Sequence, residues 1–131
     1  MANELILIVE DNEKNRRLVR DLLQFKGYQT VESETAEEGI RLAQETRPAL
    51  ILMDIHLPGI DGITALGRLR ADPRTREIPV IAVTASVMTN DRQRIMTAGF
   101  DAYQPKPINV RGFPDVVRET LDRHLRGGRA V

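Results

Sequence analysis

Glu10 and Asp11, then Asp54, Thr84 and Lys106, are polar residues that each end or follow a short apolar run. Brought together, they would suit metal-assisted phosphoryl transfer to a carboxylate. Three acidic groups at close quarters repel one another and resist full ionisation. A divalent cation relieves that repulsion, and magnesium prefers oxygen ligands, near-octahedral geometry and several retained waters. Asp11 and Asp54 are the expected direct ligands, with Glu10 acting through a water and the backbone carbonyl of His56 completing the set. Asp54 is the expected nucleophile, since carboxylates form phosphoryl intermediates. The transferred group spreads charge over three oxygens, so catalysis is mostly positioning and neutralisation. Lys106 would offer one oxygen a point charge. The Thr84 hydroxyl and nearby backbone N–H groups would offer another neutral donors.

Each residue alone has a blander reading. An Asp at a strand end is usually a turn former or helix cap. Glu10 and Asp11 precede a helix and suit its positive end. Thr84 alone reads as a β-branched strand residue, Lys106 as a surface lysine between two prolines, and His56 lacks a partner at ligand spacing. The joint pattern, with such groups at the ends of the first, third, fourth and fifth strands, is what chance would rarely produce.

The elements that must position these groups alternate strand and helix five times. Leu5–Val9 is wholly apolar and rich in β-branching, which suits a strand buried on both faces. Leu18, Leu22 and Phe25, with Val19 and Leu23 beside them, predict a helical stripe that leaves Arg16, Arg17 and Arg20 outside it and stops at Gly27. Tyr28 to Glu32 is a weaker strand. Thr35-Ala36-Glu37-Glu38 has capping-box form and predicts a helix over about 36–46, closed by Pro48. Leu50 to Met53 leads to Asp54. Asp61 is a candidate N-cap for a helix with Ile63, Leu66 and Leu69 inward. Val80 to Val83 leads to Thr84, and Thr89 or Asn90 could cap a helix to Ala98, ended by Gly99. Asp101 to Gln104 is a short fifth strand. The last helix is expected to begin with Pro114 near its first position. Right-handed crossovers then give an α/β fold, a five-stranded parallel sheet with helices on both faces. Its working site lies outside the carboxyl ends of the strands.

The 131 residues make one domain, able to close a core without disulfides, and there is no cysteine. Lys plus Arg and Asp plus Glu each number 19, so charge favours neither nucleic acid nor membrane as partner. Arg118, Arg123, Arg126 and Arg129 read as a solvated helix face and tail, having no interleaved aromatics. No apolar run is long enough to span a bilayer and no signal-peptide layout opens the chain, so a cytoplasmic location is expected. The receiver unit is expected over 1–126, with a flexible tail over 127–131 that would suit either a chain end or a linker.

At this point the chain resembles the receiver domains of response regulators in two-component signalling. Ile8-Val9-Glu10-Asp11-Asn12 is similar to the family's acidic-pair segment, and Leu52 to Gly62 to its phosphoacceptor segment. Val83-Thr84-Ala85 and Pro105-Lys106-Pro107 match its two remaining signatures. The resemblance covers about residues 4–125 and is greatest to stand-alone receivers of the DivK type. It implies a flavodoxin-like strand order 2-1-3-4-5, Asp54 as phosphoacceptor, and Mg2+ at Glu10, Asp11 and Asp54. It also implies Thr84 and Lys106 as phosphoryl contacts and a cis bond at Lys106–Pro107. Tyr103 falls at the aromatic switch position, where the ring moves inward with the Thr84 hydroxyl; a partly buried edge tyrosine is the plainer reading. The responding face would comprise the fourth helix, fifth strand and fifth helix, with Val87 and Met88 either exposed contacts or core. His56 and Ser86 occupy positions that tune phosphoryl lifetime in the family. The implied donors are a histidine kinase or a histidine phosphotransfer protein, the output a downstream protein partner, and the state a monomer or weak dimer. The module would catalyse its own phosphorylation and slow dephosphorylation without turning over an external substrate.

Three other functions compete. A nucleotide or flavin site on this architecture would place a Gly-rich loop after the first strand, where Glu10-Asp11-Asn12-Glu13 would repel phosphate. A phosphatase with an aspartyl intermediate would be expected to carry a second carboxylate two residues after the nucleophile, where His56 stands. A degenerate receiver binding partners without phosphorylation is disfavoured by the intact constellation.

Overall fold

The computed structural model describes residues 3–85 and 89–125; the expectations for Ser86, Val87, Met88, Arg126 and the tail 127–131 lie outside them. Ten elements alternate: β1 Leu5–Val9, α1 Glu13–Phe25, β2 Gln29–Ser33, α2 Ala36–Thr46, β3 Leu50–Asp54, α3 Gly62–Ala71, β4 Val80–Thr84, α4 Thr89–Ala98, β5 Ala102–Pro105 and α5 Phe113–Leu125. The five strands pair in parallel in the order β2-β1-β3-β4-β5. The Lys106–Pro107 peptide is cis.

The period-two pleat divides the core. Leu7, Val9, Ile51, Met53, Val80 and Ala82 pack with Ala36, Ala43, Leu66, Leu69 and Ile95 of α2, α3 and α4. Ile6, Ile8, Leu50, Leu52, Ile81 and Val83 pack with Val19, Leu23, Phe113, Val117 and Leu121 of α1 and α5. Burying one such aliphatic side chain contributes about 1.5–3 kcal/mol. An exposed helical ion pair such as Arg41–Glu45 contributes at most about 1 kcal/mol. Sheet–helix packing therefore dominates, and wholly apolar strands are what a sheet covered on both faces requires.

Several boundaries differ from expectation. β2 and β5 each run one residue later than the sequence suggests. Both candidate caps of α4 fall inside the helix, and the residue before them is outside the described range. Pro114 is the second residue of α5. Thr35 and Asp61 cap as expected, accepting from the N–H groups of Glu38 and Thr64. The largest correction concerns α1. Its buried residues are Val19 and Leu23, while Leu18 is 37% exposed and Phe25 84% exposed. The apolar residues form a band wider than the sheet can cover, and one edge is left outside. On the opposite edge Arg16 is drawn inward, its side chain only 15% exposed.

Candidate functional site

Parallel pairing aligns the carboxyl ends of the central strands. Val9 is level with Met53, Asp54 with Val83, and Thr84 with Pro105. The residues that end or follow these strands, Glu10, Asp54, Thr84 and Lys106, therefore reach one edge of the sheet from four separate parts of the chain.

There, carboxylate oxygens of Glu10, Asp11 and Asp54 lie within 4.8 Å of one another. Glu10 and Asp54 are buried and Asp11 is exposed, which leaves the cluster open on one side. The Lys106 Nζ donates to Asp54 Oδ2 at 2.9 Å and sits 3.0 Å from Glu10 Oε1. The other Asp54 oxygen accepts from the His56 backbone N–H at 3.0 Å. Glu10 Oε2 accepts from the Asn12 backbone N–H at 3.1 Å.

The electrostatics follow from burial and crowding. Burial pushes the Glu10 carboxyl up to about 7 and the Asp54 charge adds to this, against the pull of the Lys106 and Asn12 hydrogen bonds. Burial alone would lower the Lys106 ammonium, but its contacts with Asp54 and Glu10 outweigh that and hold it above its usual range. Three carboxylates thus face one ammonium. An all-oxygen, acid-rich donor set of this kind fits a hard divalent cation.

Other candidates stand around this centre. Thr84 is fully buried at the end of β4, and its carbonyl accepts from the Lys106 backbone N–H at 2.8 Å, tying the two strand ends together. The His56 side chain is exposed and contributes no atom to the carboxylate cluster; its backbone carbonyl remains the candidate ligand. Tyr103 lies on edge strand β5, partly buried against the α2–α4 side of the core and outside the cluster. Gly62 starts α3 so close to β3 that a Cβ would fall 2.7 Å from the Asp54 carbonyl oxygen and 2.9 Å from the Ile55 Cα. The basic residues Arg118 and Arg123 form no open patch: Arg118 bonds to Glu4, Asp122 and Tyr28, and Arg123 to the Asp101 carbonyl.

Two neighbours of the site escaped the sequence reading. Arg16 donates to the Glu10 carbonyl at 2.9 Å and to Glu32 at 3.1 Å. The Arg92 guanidinium lies 5.4 Å from the centre of the Tyr103 ring. Both are arginines on helices with mostly polar neighbours, and only the fold reveals what they meet.

A five-stranded parallel sheet in this order, with acidic residues and a lysine at its carboxyl edge, defines a receiver, and the chain belongs to the response regulator receiver domain family, whose model matches residues 6–118. Among curated relatives it is 46% identical over 116 residues to the polar-differentiation response regulator DivK of Brucella anthropi, covering 88% of this chain and 94% of that one. The DivK protein of Brucella ovis is 45% identical over the same shares. A receiver domain protein from Methanospirillum hungatei superposes with a TM-score of 0.87 at 29% identity, covering 96% of this chain and 99% of that one. The receiver domain of a sensor histidine kinase from Pseudomonas aeruginosa, which holds a magnesium ion in its active-site cleft, superposes with a TM-score of 0.84 at 31% identity. That match covers 92% of this chain and 98% of the other. No helix among the described residues is long and apolar enough to cross a membrane.

Proposed function

We propose that the protein is a phosphorylation-gated interaction module whose phosphoacceptor is Asp54. The observation that carries this reading is the Lys106 ammonium set between Asp54 and Glu10, 2.9 and 3.0 Å away. A fixed cation at the acceptor carboxylate is what neutralises an incoming phosphoryl group. An Asp54 oxygen attacks phosphorus and forms a P–O bond. The bond from phosphorus to the donor breaks with its electron pair, releasing the imidazole of a phosphohistidine or the acetate of acetyl phosphate. Lys106 stays protonated and holds a phosphoryl oxygen, while Thr84 donates to another.

Glu10, Asp11 and Asp54, with the His56 carbonyl, would hold Mg2+, in keeping with the magnesium-bound relative. Bound there, the ion would neutralise the negative charge gathered at the acceptor during transfer. The donor is a histidine kinase or a histidine phosphotransfer protein, and Thr84 and Tyr103 relay the change to α4, β5 and α5 for a downstream protein. Catalysis is confined to the module's own phosphorylation and slow dephosphorylation, in a cytoplasmic setting.

Intact-protein mass after incubation with acetyl phosphate tests this. The expected result is a magnesium-dependent gain of one phosphoryl group, absent from Asp54→Asn. No gain under conditions that modify another receiver overturns it.

A further inference from the structure

We infer that Arg16 is a positioning residue for the cation site: it pins the peptide plane joining Glu10 to Asp11 and thereby sets how strongly the site holds a divalent cation. The inference rests on the metal reading above. The carbonyl of Glu10 belongs to the planar peptide unit between Glu10 and Asp11. The Glu10 and Asp11 α-carbons flank that plane, so its orientation is one of the constraints on where the two carboxylates stand. One Arg16 Nη donates to this carbonyl at 2.9 Å, and its Nε donates to Glu32 Oε1 at 3.1 Å. Glu32 is held in turn by Arg20 at 3.4 Å. The Arg16 backbone N–H bonds to the Asn12 carbonyl, so the residue reaches the turn from both its backbone and its side chain.

The remaining contacts of the turn leave this plane to Arg16. The Glu10 N–H bonds to the Ser33 carbonyl and so fixes the preceding peptide unit. The Asn12 N–H bonds to the Glu10 carboxylate and so fixes the following one. The guanidinium serves the carbonyl and Glu32 from two nitrogens of one rigid, planar fork, whereas a lysine at this position would offer a single nitrogen on a flexible stem. Groups that orient metal ligands without touching the metal commonly change affinity by about 10–100-fold when removed.

The direction of the effect separates positioning from the alternatives. Removing a positive charge near a cation site would strengthen cation binding if only electrostatics mattered. A role confined to tying α1 to β2 would lower stability and leave cation affinity unchanged. Positioning alone predicts weaker binding.

Magnesium binding by the full chain, measured by titration calorimetry at pH 8, tests this alongside thermal unfolding in chelator. Arg16→Ala is expected to bind magnesium about tenfold or more weakly than wild type. Arg16→Lys should fall between the two. Glu32→Gln, which keeps an acceptor for the arginine, should stay close to wild type. Val117→Ala, on the buried face of α5, supplies lowered stability with unchanged affinity. Equal or tighter binding by folded Arg16→Ala, or by Arg16→Lys should Ala not fold, would overturn the inference while leaving the cation site standing. Absence of magnesium binding by the wild type would overturn both.

Discussion

Lys106 Nζ donates to Asp54 Oδ2 at 2.9 Å across 52 residues of chain, joining the ends of β3 and β5 over the intervening end of β4. Lys106 directly follows β5, and its backbone N–H is held by the Thr84 carbonyl, which keeps it at the carboxyl edge of the sheet. Replacing Lys106 with alanine removes the fixed charge while the carboxylate cluster remains. The rate of labelling by acetyl phosphate should fall by on the order of 10²-fold, with magnesium still bound. A labelling time course that matches wild type would remove Lys106 from the mechanism.

Glu10 gives the metal-free protein a pH signature. Its carboxyl, at about 7 in the fold against 4.5 when unfolded, binds a proton more tightly when folded. The stabilisation is fully present below pH 4.5 and is lost as pH rises through 7. Chemical unfolding in chelator should therefore show this group's share of stability declining over that window, and Glu10→Gln should flatten the profile there. Magnesium needs the ionised carboxylate, so its affinity should rise over the same interval. Calorimetric titrations at pH 6 and pH 8 that give one affinity would contradict this.

Gly62 marks a place where backbone meets backbone. A methyl group there would lie 2.7 Å from the Asp54 carbonyl oxygen, so either α3 or the end of β3 must move. Overpacking of this kind costs about 1–3 kcal/mol. Gly62→Ala should lower the thermal midpoint and slow acetyl phosphate labelling together, since Asp54 itself is displaced. Gly67→Ala, whose Cβ meets nothing within 4 Å, should do neither.

The buried face and the exposed edge of α1 make opposite predictions. Leu23→Ala opens the core and should cost about 2–5 kcal/mol. Phe25→Ser, at an 84% exposed position, should stay within about 0.5 kcal/mol of wild type in denaturant titration. A large loss from Phe25→Ser would show that this ring is buried in solution.

The fold was legible because the three central strands are apolar runs of four or five residues and each helix opens or closes on residues with a mechanical reason to be there. Thr35 and Asp61 carry their caps in the sequence. Strand order was not legible from periodicity and came from the family resemblance. The meeting of Glu10, Asp11, Asp54 and Lys106 could be read because parallel strands must present their carboxyl ends together. Helix faces were read less well. A stripe drawn through Leu18, Leu22 and Phe25 fits helical spacing as well as one through Val19 and Leu23, and the sheet's width decides between them. Arg16 was assigned to solvent for the same reason: its partners, a backbone carbonyl six residues back and Glu32 on the next strand, leave no periodic trace.

The central claim is an acyl phosphate at Asp54. Protein treated with acetyl phosphate and magnesium can be reduced with borohydride, which converts an aspartyl phosphate to homoserine, then digested and sequenced by mass spectrometry. The account predicts homoserine at position 54, dependent on both magnesium and the phosphoryl donor. Unmodified Asp54 in protein that has gained a phosphoryl group, or homoserine at another aspartate, would contradict it.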